Sequence, residues 1–144
     1  MKYVLDTDTL SFAMAGDPSV CGRLLTEART DVLLPQPVIS EVEYGLARLR
    51  KSKRRDRLLK RFLAFLEEMP RAPSTDAVSH AFGVVKAELE RRGVRIEDFD
   101  IAIAAHAVAL DATLVSDNVE HMRRVPGLRI ESWRADSPEP AAPR

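Results

Sequence analysis

Short apolar runs alternate with longer helical patterns along this chain, and this alternation restricts its fold more than any other feature. We predict strands at residues 3–5, 31–34, 112–116 and 128–131. Strands separated by helices pair in parallel, and a parallel sheet needs cover on both faces. The pattern therefore predicts an α/β fold, a three-layer α/β/α sandwich with a short, mainly parallel central sheet.

Helical spacing of apolar residues and capping residues place the helices between those strands. We predict helices at about 18–28, 38–50, 52–68, 76–92 and 98–110, with shorter ones after Asp6 and from Asn118. Gly93 occupies the position that ends a helix in the left-handed conformation. The segment 98–110 is nearly all apolar, which predicts a central helix buried on most sides.

A chain of 144 residues has the length of one domain, which we place at residues 1–133. Three prolines in residues 134–144 predict a disordered tail. No apolar run reaches the ~18 to 20 residues of a membrane-spanning helix, the N-terminus is not a secretory signal, and Cys21 is the only cysteine. We therefore expect a cytoplasmic protein without disulfides.

Two aspartates follow predicted strands. Asp6 ends the first apolar run, and Asp117 comes directly after the third. The crevice beyond the carboxyl ends of parallel strands is where ligands bind in such sheets. Each aspartate has an alternative explanation, because aspartate also caps the helix that follows it.

Two further acids stand beside apolar helix faces. Glu41 borders the buried stripe of its helix, whereas Glu43 points away from it. Asp100 opens the most apolar helix, where a partly desolvated carboxylate needs a partner such as a cation. Asp98 is the alternative candidate for an ion ligand. We expect one of these two aspartates to cap the helix and the other to bind an ion.

Clustered carboxylates repel one another unless they share a cation or a proton. Oxygen ligands suit Mg²⁺ or Mn²⁺, and the scarcity of cysteine and histidine argues against zinc. A site of this kind can activate water and stabilise the oxygens of a phosphodiester during hydrolysis. The acids thus offer the chemistry that metal-dependent hydrolysis of a phosphodiester needs.

Four segments of the chain resemble the PIN-domain nucleases, and most closely the VapC-type toxins of bacterial toxin–antitoxin pairs. The segments are LDTDTLS, P-VISEVEYGL, DFDIAIAAHAVAL and LVSDNVEHMRRVPGLRIESW, and the likeness covers residues 1–133. By this resemblance Asp6, Glu41 and Asp100 match the first three acids of the family, with Asp6 and Asp100 as the principal metal ligands.

The resemblance leaves the fourth position open between Asp117 and Asn118, and we rank Asp117 first because it can carry charge. It makes Ser116 the hydrogen-bonding support that is usually a threonine. Thr7 and Asp8 are expected to lie just behind the ligands.

The resemblance also implies an activity and partners. It implies an endoribonuclease that uses Mg²⁺ or Mn²⁺, often on tRNA or other structured RNA, that forms a homodimer and that a VapB-type antitoxin inhibits. One alternative is a housekeeping PIN nuclease in RNA processing. The other is a catalytically silent PIN-like module that binds nucleic acid or a protein partner.

Formal net charge is zero, yet residues 48–61 hold nine basic side chains against one acid. The candidate RNA-binding residues in this stretch are Arg48, Arg50, Lys51, Lys53, Arg54 and Arg55, which would contact phosphates. The alternatives are a solvated helix–helix junction, slightly favoured, and a surface for an acidic antitoxin segment. We expect His106 to be a hydrogen-bonded core residue rather than a catalytic base.

Overall fold

Four short strands lie side by side at the centre of the molecule. The structure is a computed structural model, and it describes residues 1–135. The strands are β1 (Tyr3–Leu5), β2 (Val32–Leu33), β3 (Thr113–Val115) and β4 (Arg129–Glu131). They pair only in parallel, in the order β2-β1-β3-β4. All residues of β1, β2 and β3 are buried, so both faces of these strands are covered. The predicted α/β fold with a parallel sheet is confirmed.

Helices form the connections between the strands. They are α1 (Thr7–Met14), α2 (Pro18–Thr26), α3 (Gln36–Arg48), α4 (Lys53–Glu68), α5 (Asp76–Arg91), α6 (Asp98–Ala109) and α7 (Val119–Met122). Side chains of Asp17, Ser52 and Thr75 cap α2, α4 and α5, as their residue types favour. Helix α3 starts two residues before its predicted position, because Pro37 fits within the first helical turn. Gly93 has the predicted positive φ, 68°.

Helix α6 is the central helix that its composition predicted. Six of its residues are buried, among them Ile101, Ile103 and His106. The His106 ring is satisfied internally, since Nδ1 lies 2.7 Å from the Ala102 carbonyl and Nε2 lies 3.4 Å from Ser74 Oγ. The prediction of a hydrogen-bonded core histidine is confirmed.

The C-terminal segment returns to the start of the chain. Ser19 Oγ donates to the Trp133 carbonyl and accepts from the Ala135 amide. The Arg134 guanidinium lies 4.0 Å from the centre of the Phe12 ring. Residues 136–144 of the predicted tail lie outside the described residues. Within residues 1–135, no helix has both the length and the apolar character needed to cross a membrane.

Candidate active site

Carboxylates from three separate elements line one pocket at the carboxyl ends of β1 and β3. The pocket has a volume of about 200 Å³. Its lining is Asp6, Thr7, Asp8, Glu41, Asp100, Ile103, Ser116, Asn118 and Met122. Because neighbouring parallel strands end at the same edge of the sheet, residues more than 100 positions apart meet there.

Asp6 is both a helix cap and part of the pocket. Its Oδ1 accepts from the Thr9 amide at 2.8 Å and so caps α1. Its own amide donates to the Val115 carbonyl at 3.0 Å, which continues the β1–β3 pairing. Asp6 therefore caps α1 and lines the pocket at the same time.

The electrostatics of Asp6 reflect its enclosure. Burial raises the pKa of Asp6 from 3.8 to about 6, although hydrogen bonds from Ser116 and Thr9 oppose this rise. A desolvated carboxylate of this kind is costly to ionise without a nearby cation. Asp6 is therefore poised to share a proton or a cation.

Glu41 from α3 and Asp100 from α6 both line the pocket. Thr7 Oγ1 donates to Glu41 Oε1 at 2.5 Å, which fixes that carboxylate from α1. Burial raises the pKa of Asp100, and the negative charge of Glu41 adds to the effect, whereas His121 opposes it. Thr7 thus lies beside an acid of the pocket and lines the pocket itself.

Asp98 lies apart from this pocket. Its Oδ1 pairs with Lys86 Nζ at 2.9 Å, on the exposed surface between α5 and α6. A larger hollow of about 550 Å³ adjoins this pair, but charges of both signs line it. The expectation that either Asp98 or Asp100 caps α6 is wrong, because the N-cap residue is Glu97 and no side chain makes the capping hydrogen bond.

The turn after β3 separates the two candidates for the fourth position. Ser116 is fully buried, hydrogen-bonds to Asp6, and accepts from the Asn118 amide at 3.0 Å. Asn118 lines the pocket. Asp117 instead lies 3.4 Å from Arg134 Nη1 and 3.5 Å from Ser132 Oγ, and it is absent from the lining formed by the described residues. The structure thus brings Asn118 into the pocket, although the sequence ranked Asp117 first.

Three residues near the pocket were not identified from the sequence as candidate site residues. Ile103 and Met122 contribute apolar surface to it. His121, on α7, is close enough to Asp100 to lower its pKa. The signal for these residues was their position on α6 or on α7, directly after the turn that carries Ser116, since none has the chemistry of a cation ligand in an oxygen site.

The side chains present fit an oxygen-bound divalent cation. Within residues 1–135 no three His, Cys, Asp or Glu side chains are arranged as a ready-made metal cage. Mg²⁺, however, commonly uses one or two carboxylates and keeps water for its other positions. Asp6 and Asp100 supply two carboxylates, both with pKa values raised by burial.

The predicted RNA-binding residues lie around the α3–α4 corner. Arg55 Nε donates to the Leu46 carbonyl at 3.1 Å and holds the two helices together. Arg48 lies against the Tyr44 ring, with 5.3 Å between Cζ and the ring centre. Arg50, Lys51, Lys53 and Arg54 are exposed. Part of this basic stretch is therefore a structural junction, and part remains accessible.

Comparisons with known proteins agree with this architecture. The family model described as PIN domain matches residues 3–128. Ribonuclease VapC2 of Rickettsia felis is 31% identical, covering 92% of this chain and 98% of the relative. The tRNA(fMet)-specific endonuclease VapC of Salmonella typhimurium is 28% identical with the same coverage.

Solved structures extend the likeness to three dimensions. The crystal structure of VapBC2 from Rickettsia felis bound to a DNA fragment from their promoter matches with a TM-score of 0.77 and 29% identity, covering 92% of this chain and 99% of that one. DNA-bound VapBC from Salmonella typhimurium matches with a TM-score of 0.79 and 26% identity, covering 92% and 98%.

Proposed function

This chain belongs to the PIN domain family, and we propose that its acidic pocket is the active site of a metal-dependent endoribonuclease, the toxin of a VapBC-type toxin–antitoxin pair. The observation that carries the proposal is the convergence of Asp6, Asp8, Glu41 and Asp100 on one small pocket. The resemblance inferred from the sequence motifs is confirmed. Relatives named ribonuclease and endonuclease support the reaction.

Within the pocket, we assign Asp6 and Asp100 to hold a Mg²⁺ or Mn²⁺ ion. Such an ion, when bound, activates water and stabilises the charge that develops on a phosphodiester. Thr7 holds the Glu41 carboxylate in place, and Ser116 hydrogen-bonds to Asp6. Asn118 offers an amide to the substrate or to water at the position where the resemblance had placed Asp117 or Asn118.

RNA and an antitoxin are the partners that this function requires. Structural relatives are VapBC assemblies, which supports a VapB-type antitoxin for this chain. One relative is named for tRNA(fMet), and we extend to this chain only a preference for structured RNA. A cytoplasmic location follows from these two partners as part of the proposal. Homodimerisation stays a prediction from the family resemblance.

The two alternatives have less support. A housekeeping nuclease would act without an antitoxin, whereas the structural relatives are toxin–antitoxin assemblies. A silent binding module has no need to keep four carboxylates in one pocket, since their mutual repulsion costs stability.

A pair of variants on one helix turn tests the proposed site. Asp100→Asn removes a pocket carboxylate, and Asp98→Asn removes an acid two positions away that pairs with Lys86. Purified protein without antitoxin is incubated with a labelled RNA hairpin in Mg²⁺ or Mn²⁺. We expect Asp100→Asn to lose at least 100-fold in cleavage rate, a loss typical of removing one charge-stabilising group. Asp98→Asn is expected to cleave within about twofold of wild type.

Two further observations complete the test. Isothermal titration with Mn²⁺ alone is expected to show binding to wild type and to Asp98→Asn, and weak or no binding to Asp100→Asn. Equal activity of both variants would contradict the assignment of the pocket. A wild-type protein that binds Mn²⁺ but leaves a panel of tRNAs and hairpins intact would favour the silent module.

A further inference from the structure

We propose that Tyr44, backed by Arg48, is a stacking platform for an unpaired base of the RNA, next to the site of cleavage. The inference rests on the proposed ribonuclease function and names the form of RNA that the site accepts. It assigns the nucleotide beside the scissile bond to a single-stranded loop, because a paired base has no free face to stack on the ring.

Helix α3 carries the acid and the ring on one face. Tyr44 follows Glu41 by three positions and Arg48 follows Tyr44 by four, so the three side chains are neighbours on the helix surface. At 100° per residue they occupy an arc of about 60°, in which Glu41 is nearest to the buried stripe and Tyr44 is farthest from it. Glu41 lines the acidic pocket. The Cβ atoms of Tyr44 and the pocket residue Glu41 are therefore about 5 to 6 Å apart.

The Tyr44 ring is unusually accessible for an aromatic side chain. The residue is 63% exposed, although aromatic residues gain most from burial. The flanking positions leave room for a ligand, since a Cβ at Gly45 would meet nothing within 4 Å. Ala47 is also small and exposed. A flat group can therefore approach the ring without displacing other side chains of α3.

Arg48 gives the platform a positive charge. Its Cζ lies 5.3 Å from the Tyr44 ring centre, a cation–π distance. A guanidinium beside an aromatic ring suits a nucleotide, because the ring stacks on the base and the cation attracts the phosphate. The exposed basic side chains that follow at the α3–α4 corner extend this charge away from the acidic pocket. RNA is thus favoured over an apolar protein segment as the occupant.

Fluorescence of a modified RNA tests the platform without requiring cleavage. A set of hairpins carries one 2-aminopurine each, at successive loop positions, and binds protein in the Asp100→Asn background so that the RNA stays intact. Stacking on an aromatic ring quenches the fluorescence of 2-aminopurine. In the protein that keeps Tyr44, we expect the fluorescence to be quenched at one loop position. The quenching is expected to persist in Tyr44→Phe and to disappear in Tyr44→Leu. Glu43→Gln, an exposed neighbour about 100° around α3 from Tyr44, is the matched control and is expected to retain the quenching.

Kinetics provide the second measurement. Stacking contributions of the usual size predict a KM for Tyr44→Leu that is about 5- to 150-fold higher, with kcat changed by less than about threefold. Tyr44→Phe and Glu43→Gln are expected to stay within about twofold of wild type. An abasic nucleotide at the quenched position is expected to raise the wild-type KM to that of Tyr44→Leu, and to leave Tyr44→Leu unchanged.

The outcomes separate this inference from the proposed function. Quenching that depends on the ring, in a protein that cleaves no RNA, would support the platform and refute the nuclease. Cleavage with unchanged KM in Tyr44→Leu, or quenching that survives this substitution, would refute the platform alone. The platform would also be refuted if Tyr44→Leu cleaved normally and only escaped inhibition by an antitoxin. That result would assign the ring to a protein interface.

Discussion

Replacing Asp6 with asparagine separates the catalytic role of this residue from its structural one. Asparagine is nearly isosteric and caps helices as well as aspartate does, so its Oδ1 can still accept from the Thr9 amide. The substitution removes only the charge. We therefore expect Asp6→Asn to abolish RNA cleavage while making the folded protein more stable at neutral pH.

The magnitude follows from the pKa of Asp6. Burial raises it from 3.8 to about 6, and this difference corresponds to about 3 kcal/mol of folding free energy when the group is fully ionised. A carboxyl whose pKa is higher in the folded state favours folding at low pH, and this contribution is lost as pH rises through the folded pKa. Weaker hydrogen bonding from Ser116 to the neutral amide offsets about 1 kcal/mol. The net gain at pH 7.5 is therefore about 1 to 3 kcal/mol.

Urea unfolding of wild type and Asp6→Asn, in chelator, measures this gain. We expect the variant to exceed wild type at pH 7.5, to lose roughly half of the charge-derived advantage near pH 5, and to lose all of it near pH 3. Added Mn²⁺ is expected to stabilise wild type and to leave Asp6→Asn unchanged, because ligands stabilise only the state that binds them.

Asp8→Asn is the control for this experiment. Asp8 belongs to the same first turn of α1 but is exposed, so its substitution is expected to change stability by less than about 0.5 kcal/mol. The reasoning would be refuted if Asp6→Asn were less stable than wild type at pH 7.5. A gain that is independent of pH would refute it as well, since the charge would then not be its cause.

Two other substitutions test contacts around the site. Thr7→Val removes the hydroxyl that donates to Glu41 while keeping the side-chain shape, and we expect about a tenfold lower kcat with a melting temperature within a few degrees of wild type; a normal kcat would show that Glu41 needs no such support. Arg134→Ala removes the guanidinium from Phe12, Asp17 and Asp117, and we expect a loss of about 1 kcal/mol by chemical denaturation, only partly restored by Arg134→Lys, whose ammonium lacks the planar face.

The fold was largely readable from local patterns. Strand positions, the central α6 helix and the left-handed Gly93 follow from residue types and their spacing, because each reflects short-range constraints on the backbone. The position of Asp6 and Asp100 beside one pocket was also predictable, since one follows a buried strand and the other opens a buried helix. These are features in which the local sequence and the fold agree.

Local residue patterns determined the set of helices and strands and the acids placed at their ends. Tertiary contacts show which of two neighbouring side chains lines the pocket: Asn118 does and Asp117 does not, and Asp100, which the resemblance already favoured, does and Asp98 does not. In each pair the two residues differ by one or two positions, so spacing alone could not rank them. The ion pairs of Asp98 with Lys86 and of Asp117 with Arg134 distinguish them, because Lys86 and Arg134 lie outside the local segments of their partners and only folding brings them into contact.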